Sequence, residues 1–252
     1  MKVSGVVITY NEAQHIESCI RALQRVTDEI IVVDSFSRDN TPEICMNFGV
    51  KFFSHSYEGQ VEQKNYALGK TQHDLVLAVD GDEVLSEELI DSINQEKVLG
   101  FLSAGYELNR LTNYAGHWIK YGGWYPDWKL RLWHKSKGSW QGQNPHDLVI
   151  LNEGLKPKKL KGDILHYAFD SVSEHRARIE NYASIGAKSM HSLGKKSNWF
   201  LVLFSPMWKF FRDYVIKGGF LDGKYGFIIA RLSAKSKYLK YKKLLTLQQE
   251  NR

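Results

Sequence analysis

The chain has 252 residues, a formal net charge of +6 and only two cysteines, Cys19 and Cys45. This length is enough to bury one sizeable core, with or without a small appendage. Neither cysteine belongs to a CxxC or similarly paired spacing, which argues against a disulfide framework and a cysteine zinc site and favours a reducing compartment.

The first hundred residues alternate between strand and helix patterns. Apolar runs predict buried strands at residues 3–8, 29–33, 50–53 and 75–79. Apolar residues at helical spacing predict helices at residues 12–25, 41–48, 60–68 and 86–98. Such alternation is typical of βαβ units, so we predict an α/β fold with a mostly parallel sheet flanked by helices.

From residue 106 the pattern changes to aromatic-rich sequence punctuated by glycine. Short strands are predicted at residues 106–111, 129–133, 139–142 and 164–167. They would build a mixed sheet and form the wall of a pocket. The chain is predicted to be helical from Val172 onward, with a break at Ser205-Pro206 and a turn at Gly218-Gly219.

Charge is distributed unevenly along the chain. From Lys188 onward there are 14 Lys and Arg residues against 3 Asp and Glu, a net charge of +11, whereas residues 1–187 carry −5. We therefore predict a domain at 1–187 that holds the site and a basic, aromatic, helical extension at 188–252. Aromatic and cationic residues at helical spacing suit an interfacial helix on anionic lipid, and packing of these aromatics in the core is the alternative.

Polar clusters follow three of the predicted strands. The acidic run Asp-Gly-Asp-Glu at residues 80–83 follows the fourth strand, and polar residues at 9–12 and 34–39 follow the first two. Parallel strands end on one side of a sheet, so we expect the clusters to meet at one edge. Carboxylates there predict a divalent cation and a phosphorylated substrate. The alternative for the first two clusters is structural. Asn11 would cap a helix, and Asp34 would accept hydrogen bonds from the backbone of a turn.

Four segments of the first hundred residues form a recognisable set of motifs. They lie at residues 6–12, 28–41, 63–65 and 79–83 and read Val-Val-Ile-Thr-Tyr-Asn-Glu, Asp-Glu-Ile-Ile-Val-Val-Asp-Ser-Phe-Ser-Arg-Asp-Asn-Thr, Gln-Lys-Asn and Val-Asp-Gly-Asp-Glu. Together they resemble the family 2 glycosyltransferases, which have a GT-A (Rossmann-like) fold. Later segments at 125–133, 140–147 and 218–223 look like the bacterial subgroup that includes the lipopolysaccharide core β-1,4-glucosyltransferases.

The resemblance implies roles for individual residues. The positions that match the family's nucleotide-binding set, with uracil as the usual base, are Thr9, Tyr10, Glu12, Asp34, Lys64 and Asp80. Asp82 matches the ligand of Mg²⁺ or Mn²⁺ that bridges the donor diphosphate. A cation there would stabilise the charge that develops on the leaving nucleoside diphosphate. His166 falls where related enzymes place a histidine close to the metal, although a lone histidine also serves as a structural residue.

The reaction needs a base that takes the proton from the attacking hydroxyl. Asp147, in the segment Asn-Pro-His-Asp at 144–147, matches the place of the family's base, with Asp instead of the Glu found in many relatives. Asp127 is the rival candidate. Its structural alternative is an ion pair with Arg131.

The resemblance implies an inverting, metal-dependent hexosyltransferase. We expect it to move a hexose, with glucose favoured, from a UDP-linked donor to a lipopolysaccharide core or other glycan or glycolipid acceptor. One alternative is a polyprenyl-phosphate sugar transferase, and another is a non-catalytic protein that binds a nucleotide sugar or a lipid surface. Nucleic acid is not an expected partner, because the acidic site would repel a polyanion.

The expected location is the cytoplasm. The first residues enter a strand directly, without the features of a signal peptide. No window of the sequence reaches the roughly 18 uninterrupted apolar residues of a membrane span. We therefore expect at most peripheral contact with the inner face of the cytoplasmic membrane, through the basic extension.

Overall fold

The computed structural model of the protein describes residues 1–143 and 146–250. Residues 144 and 145, which belong to the segment before the candidate base, lie outside the described residues, as do the side chains of Gln143, His146 and Glu250. The candidate base Asp147 itself is described.

Packing divides the chain into two compact units. The first contains Met1–Arg110 and Asp127–Tyr167, and the second contains Leu111–Pro126 and Ala168–Arg252. These units are defined by packing and not by function. The predicted division at residue 187, between a transferase domain and a basic extension, stays a prediction.

Strands and helices are numbered in chain order. The strands are β1 (Val3–Thr9), β2 (Glu29–Asp34), β3 (Lys51–Ser54), β4 (Leu75–Asp80), β5 (Glu83–Leu85), β6 (Gly105–Tyr114), β7 (His117–Ile119), β8 (Trp128–His134), β9 (Gly138–Gln143), β10 (His146–Leu151) and β11 (Lys158–Phe169). The α-helices are α1 (Ile16–Gln24), α2 (Thr41–Asn47), α3 (Gln60–Leu68), α4 (Glu87–Leu99), α5 (Val172–Ser192), α6 (Trp199–Phe211) and α7 (Gly223–Glu250). Every strand and helix predicted in the first hundred residues is present.

The first unit is built on a sheet whose strands run in the order β3-β2-β1-β4-β8-β6-β11-β5. Neighbours among β1 to β4 are parallel, as successive βαβ units require, whereas β8 joins β4 and β6 in antiparallel pairs. The predicted α/β fold is confirmed. Strands β9 and β10 form a separate antiparallel hairpin.

Apolar patterning explains why the first unit forms these elements. All seven residues of β1 are buried, which is expected for a central strand covered on both faces. Helix α1 buries Ile16, Cys19, Ile20 and Leu23, the helical spacing that the sequence predicts. The helix begins later than predicted because the carbonyl of Glu12 accepts turn hydrogen bonds from the N–H groups of His15 and Ile16.

The second unit is mainly helical, with α7 packed along α5 and α6. Tyr114 lies in its core, and the hydroxyl is 2.9 Å from Nδ1 of the buried His175. Burial lowers the pKa of His175 to about 4, so this imidazole is neutral at physiological pH. Over residues 1–143 and 146–250, we find no helix with the length and apolarity to cross a bilayer.

Helix α6 continues through Pro206, so the predicted break at Ser205-Pro206 is wrong. A proline inside a helix removes one i→i−4 hydrogen bond. The helix tolerates that loss because α6 is packed along α7, and tertiary packing contributes more to helix stability than local propensity. The predicted turn at Gly218-Gly219 is confirmed, with Gly218 in the left-handed region at a φ of 68°.

Candidate active site

The carboxyl ends of three parallel strands bring the predicted polar clusters together. Strand β1 lies between β2 and β4, and the register places Thr9 opposite Asp34 and Ile8 opposite Asp80. Thr9, Asp34 and Asp80 therefore lie at the same edge of the sheet. The expectation that these clusters meet is confirmed.

Hydrogen bonds tie the loop after β1 to the loop after β2. The Asn11 N–H donates to Ser37 Oγ over 2.7 Å, and the Arg38 N–H donates to Asn11 Oδ1 over 2.8 Å. The Glu12 N–H donates to Thr41 Oγ1 over 2.8 Å. The Asn11 side chain thus joins the two loops. It does not cap α1, so the capping alternative for this residue is wrong.

The residues predicted to bind the nucleotide base differ in their exposure. Asp34 is buried, and its carboxylate accepts hydrogen bonds from the Ser37 N–H and hydroxyl. This confirms the structural interpretation of Asp34 as a turn acceptor. Thr9 is also buried, whereas Tyr10 is 52% exposed. The nucleotide-binding roles of these residues and of Glu12 stay predictions.

The acidic run at residues 80–83 forms the turn between β4 and β5. Gly81 donates its N–H to the carbonyl of Ile8 over 3.0 Å, at the end of β1. A Cβ atom at Gly81 would lie 2.8 Å from Thr9 Oγ1, closer than real Cβ contacts. Glycine is therefore needed here because the turn approaches β1 closely.

Glu83 is a buried charge at the centre of an ion-pair network. Its carboxylate accepts the Asp80 N–H over 3.0 Å and lies 3.1 Å from Arg131 Nη2 and 3.3 Å from Arg110 Nη1. Arg131 is 4% exposed, and its Nη2 is also 3.2 Å from Asp80 Oδ2. Burial acts to lower the pKa of Arg131, but Glu83, Asp80 and Asp147 outweigh it and raise that pKa above its ordinary value.

Lys64 links the acidic turn to the candidate base. Its Nζ lies 3.1 Å from Asp80 Oδ1 and 2.7 Å from Asp147 Oδ2. The ammonium is buried and lies 4.6 Å from the ring centroid of Trp140, within the range of a cation–π contact. Burial acts to raise the pKa of Asp80, but Lys64 and Arg131 hold it well below its ordinary value. Asp80 is therefore ionised, whereas the predicted place of Lys64 beside the nucleotide base stays a prediction.

Asp82 lies next to His166. The His166 Nε2 is 3.2 Å from Asp82 Oδ2, and the two side chains are 18% and 21% exposed. The Tyr167 N–H donates to the Asp82 carbonyl over 3.0 Å, which fixes β11 against the acidic turn. His166 Nδ1 is buried and has no hydrogen-bond partner among the residues that the structure describes. The pair is therefore held in place while both side chains stay open to solvent.

The donor chemistry of this pair fits the predicted ion. A carboxylate oxygen and an imidazole nitrogen are ligands that Mn²⁺ accepts, and Mg²⁺ is usually held by one or two carboxylates together with substrate phosphates. In the part of the chain that the structure describes, no three His, Cys, Asp or Glu side chains are arranged to hold a metal ion. An ion held by this pair would take its other ligands from water or from a bound substrate.

Asp127 pairs with cations other than the predicted one. Its carboxylate accepts hydrogen bonds from Arg110 Nε and Nη2 over 3.0 and 2.8 Å, and it lies 3.0 Å from Lys129 Nζ. The predicted pairing with Arg131 is wrong, because Arg131 contacts Asp80 and Glu83 instead. Asp127 is nevertheless ion-paired, as the structural alternative for this residue expects, but its partners are Arg110 and Lys129.

The sequence pattern assigns no site role to Glu83, Arg110 or Arg131. The sequence does contain a signal for Arg131. A charged residue within the apolar strand pattern Lys-Leu-Arg-Leu-Trp needs a buried counter-charge. The acidic run supplies that charge. Arg110 carries no comparable signal, since its partners come from two separate segments of the chain.

Arg131→Met is expected to destabilise the first unit by about 3 to 5 kcal/mol, because it leaves the buried Glu83 short of counter-charge. The free energy of unfolding in urea measures this effect. Lys129→Met, in the same strand, is the matched control. It removes only the partly exposed pair with Asp127, and we expect a loss below about 1 kcal/mol. Equal losses in the two variants would contradict the network.

Comparison with known proteins identifies the family. The model of glycosyl transferase family 2 matches residues 4–158, more than half of the chain. The chain belongs to glycosyl transferase family 2. The matched region of this family 2 glycosyltransferase contains every candidate site residue except His166. The predicted family is therefore confirmed together with its fold class.

Relatives extend the similarity over nearly the whole chain. An uncharacterized glycosyltransferase of Rickettsia typhi is 31% identical, over 100% of this chain and 89% of its own length. The lipopolysaccharide core biosynthesis glycosyltransferase LpsC of Rhizobium meliloti is 25% identical, over 93% of this chain and 88% of its own length.

Solved structures are similar over a shorter part. One is glucosyl-3-phosphoglycerate synthase from Mycobacterium tuberculosis in complex with Mn²⁺, UDP-glucose and phosphoglyceric acid. It is 23% identical with a TM-score of 0.37. The match covers 46% of this chain and 44% of the synthase, so it spans less than half of either.

Proposed function

We propose that this family 2 glycosyltransferase moves a hexose, with glucose favoured, from a UDP-linked donor to a lipopolysaccharide core or other glycan acceptor, with inversion at the anomeric carbon. The observation that carries the proposal is the grouping of carboxylates beside the acidic turn. Asp80 and Asp147 share the ammonium of Lys64, and Asp82 follows with His166 beside it. Ligands of open α/β sheets bind at this edge.

The nucleotide would bind where β1, β2 and β4 end. Its uracil and ribose would contact the family-matched set, which comprises Thr9, Tyr10, Glu12, Asp34, Lys64 and Asp80. An ionised Asp80 accepts hydrogen bonds, which suits the hydroxyl groups of a ribose. Tyr10 supplies an exposed aromatic ring near the same edge, and such a ring suits contact with a base.

Asp82 and His166 would hold Mg²⁺ or Mn²⁺. The bound ion would stabilise negative charge on the leaving diphosphate. The two side chains support this role because they are in contact with each other and both reach solvent.

Asp147 is the proposed base, in preference to Asp127. It contacts the same ammonium as Asp80, so it lies beside the acidic turn, where a donor would bind. Asp127 is held by the guanidinium of Arg110 and the ammonium of Lys129. A base must be within hydrogen-bond reach of the acceptor hydroxyl, so the place of Asp147 beside the acidic turn is what favours it.

The proposed acceptor is a sugar hydroxyl of the lipopolysaccharide core. A relative named for that pathway is similar over 93% of this chain. We place the reaction in the cytoplasm, at the inner face of the cytoplasmic membrane, with peripheral contact through the basic extension. No nucleic-acid partner is proposed, because the acidic turn would repel a polyanion.

A donor panel tests this proposal. Nucleotide sugars would be incubated with Mg²⁺ or Mn²⁺ and one of two acceptors, a truncated heptose-containing core or a polyprenyl phosphate, and free nucleoside diphosphate would be measured. We expect UDP release from a UDP-hexose only when the core acceptor is present. Release only with polyprenyl phosphate would identify a polyprenyl-phosphate sugar transferase. Donor binding without release under any condition would favour a non-catalytic binding protein.

A further inference from the structure

The outward surface of α6 is apolar, although a solvent-facing helix surface is ordinarily polar. Large apolar side chains recur along it every three or four residues. We call these residues the apolar face: Phe200, Leu203, Phe204, Met207, Trp208 and Phe211. Each is between 48 and 67% exposed. This face has the spacing of a buried helix stripe but lies in solvent.

The opposite surface of α6 already provides the packing that the fold needs. Val202 is fully buried there, and α6 packs along α7. Beyond the helix end, the buried Asp213 pairs with Lys209 and Arg212. Internal packing therefore does not account for the apolar face. The alternative that these side chains pack in the core therefore does not hold for the six residues of the apolar face, whereas Phe210 of the same helix does pack against Tyr214 and Phe227.

Cations crowd together in the same unit. Burial, and then repulsion by Arg212, Lys209 and Lys240, lowers the pKa of Lys237. Burial, and then repulsion by Lys209 and Lys195, lowers the pKa of Lys240. These five residues, from α6, α7 and the segments beside α6, form the basic cluster. Asp213 offsets two of these charges, but residues 188–252 as a whole carry a net charge of +11, which an anionic surface attracts.

We infer that the apolar face of α6 docks on an anionic phospholipid membrane, with its aromatic side chains inserted at headgroup level and the net positive charge of residues 188–252 attracted to the lipid. Charge complementarity selects this occupant, because a second copy of the chain would bring the same positive charge. The 13 residues of α6 span about 20 Å, so the helix would lie along the membrane plane. The docking of this face rests on the membrane contact in the proposed function and specifies the surface that makes it. Lipid binding itself does not depend on hexose transfer.

Vesicle sedimentation of the full chain tests the inference. Phosphatidylcholine vesicles would be compared with vesicles that also contain phosphatidylglycerol, at low and high salt. We expect binding to the anionic vesicles that weakens as salt rises. The double variant with Phe204→Ser and Trp208→Ser should bind the anionic vesicles at least about tenfold more weakly, because two aromatic side chains that would move from water into the lipid are lost.

The matched control removes two exposed apolar residues from the first unit. Val98→Ser with Leu102→Ser should bind vesicles as the unmodified chain does, since these residues are 88% and 84% exposed but lie outside the apolar face. A second readout uses brominated lipid, which quenches tryptophan fluorescence on contact. Quenching should be weaker in Trp208→Phe. This variant keeps an aromatic ring, so the loss of quenching reports on lipid contact even when vesicle binding is unchanged.

Three outcomes would overturn the inference. One is unchanged sedimentation of the Phe204 and Trp208 double variant, and another is quenching that is the same with and without Trp208. The third is a lipid-free dimer that the double variant abolishes, which would assign the face to a second copy. Vesicle binding without hexose transfer would reject only the proposed function, and transfer without vesicle binding would reject only the docking face.

Discussion

Asp82→Asn is expected to reduce the rate of hexose transfer about a thousandfold, because a neutral amide no longer offsets the charge of a cation at the leaving diphosphate. The fold should be retained, since the side chain is partly exposed and its contact with His166 is at the surface. The measurement is the initial rate of UDP release at saturating donor and acceptor. Thermal unfolding of the same preparation reports on the fold.

Asp74→Asn is the matched control for this substitution. Asp74 comes just before β4 as Asp82 comes just after it, and it also contacts a histidine, with His134 Nδ1 at 2.8 Å. The control therefore removes an equivalent carboxylate at the opposite end of the strand, about 20 Å away. We expect an unchanged transfer rate. Transfer at the unmodified rate in Asp82→Asn as well would contradict the role of Asp82.

Asp147→Asn is expected to lower kcat by about a hundredfold to ten-thousandfold, the contribution that a positioned base makes to proton transfer. The KM for the donor should change little, because the base acts on the acceptor hydroxyl in the transition state. Steady-state kinetics with varied donor and acceptor measure both constants. Thermal unfolding is needed here too, since the buried Lys64 loses one of its two carboxylate partners.

Two further variants separate the candidate bases. Asp147→Glu keeps a carboxylate of the length found in many family members, and we expect it to recover part of the activity lost in Asp147→Asn. Asp127→Asn should retain nearly the full kcat, because Asp147 is the carboxylate that shares the Lys64 ammonium with Asp80 of the acidic turn. An inactive Asp127→Asn together with an active Asp147→Asn would transfer the assignment to Asp127.

The framework of the site follows from local signals in the sequence. Apolar runs and helical spacing predict the βαβ alternation, and parallel strands then require their following residues to share an edge. Thr9, Asp34 and Asp80 meet for that reason alone, through the pairing of β1 with β2 and β4. The acidic run at residues 80–83 is visible in the sequence itself.

Contacts between distant segments set the rest of the site, and local patterns do not encode them. Lys64 and Asp147 are 83 positions apart, and only the folded chain places them 2.7 Å from each other. Arg131 illustrates a second limit, because its choice between Asp127 and the buried Glu83 depends on how β8 lies beside β4. Pro206 illustrates a third, since a local helix breaker is overridden by packing along α7.

Calorimetric titration of the chain with UDP, in the presence of Mn²⁺ or of EDTA, shows whether Asp82 holds a dication at the diphosphate, and it needs neither the sugar nor the acceptor to be known. If Asp82 helps to hold a dication against the diphosphate, UDP should bind at least about tenfold more weakly in EDTA. Asp82→Asn should bind UDP weakly in both conditions. Equal affinity for UDP with Mn²⁺ and with EDTA, unaltered by Asp82→Asn, would exclude a dication held by Asp82.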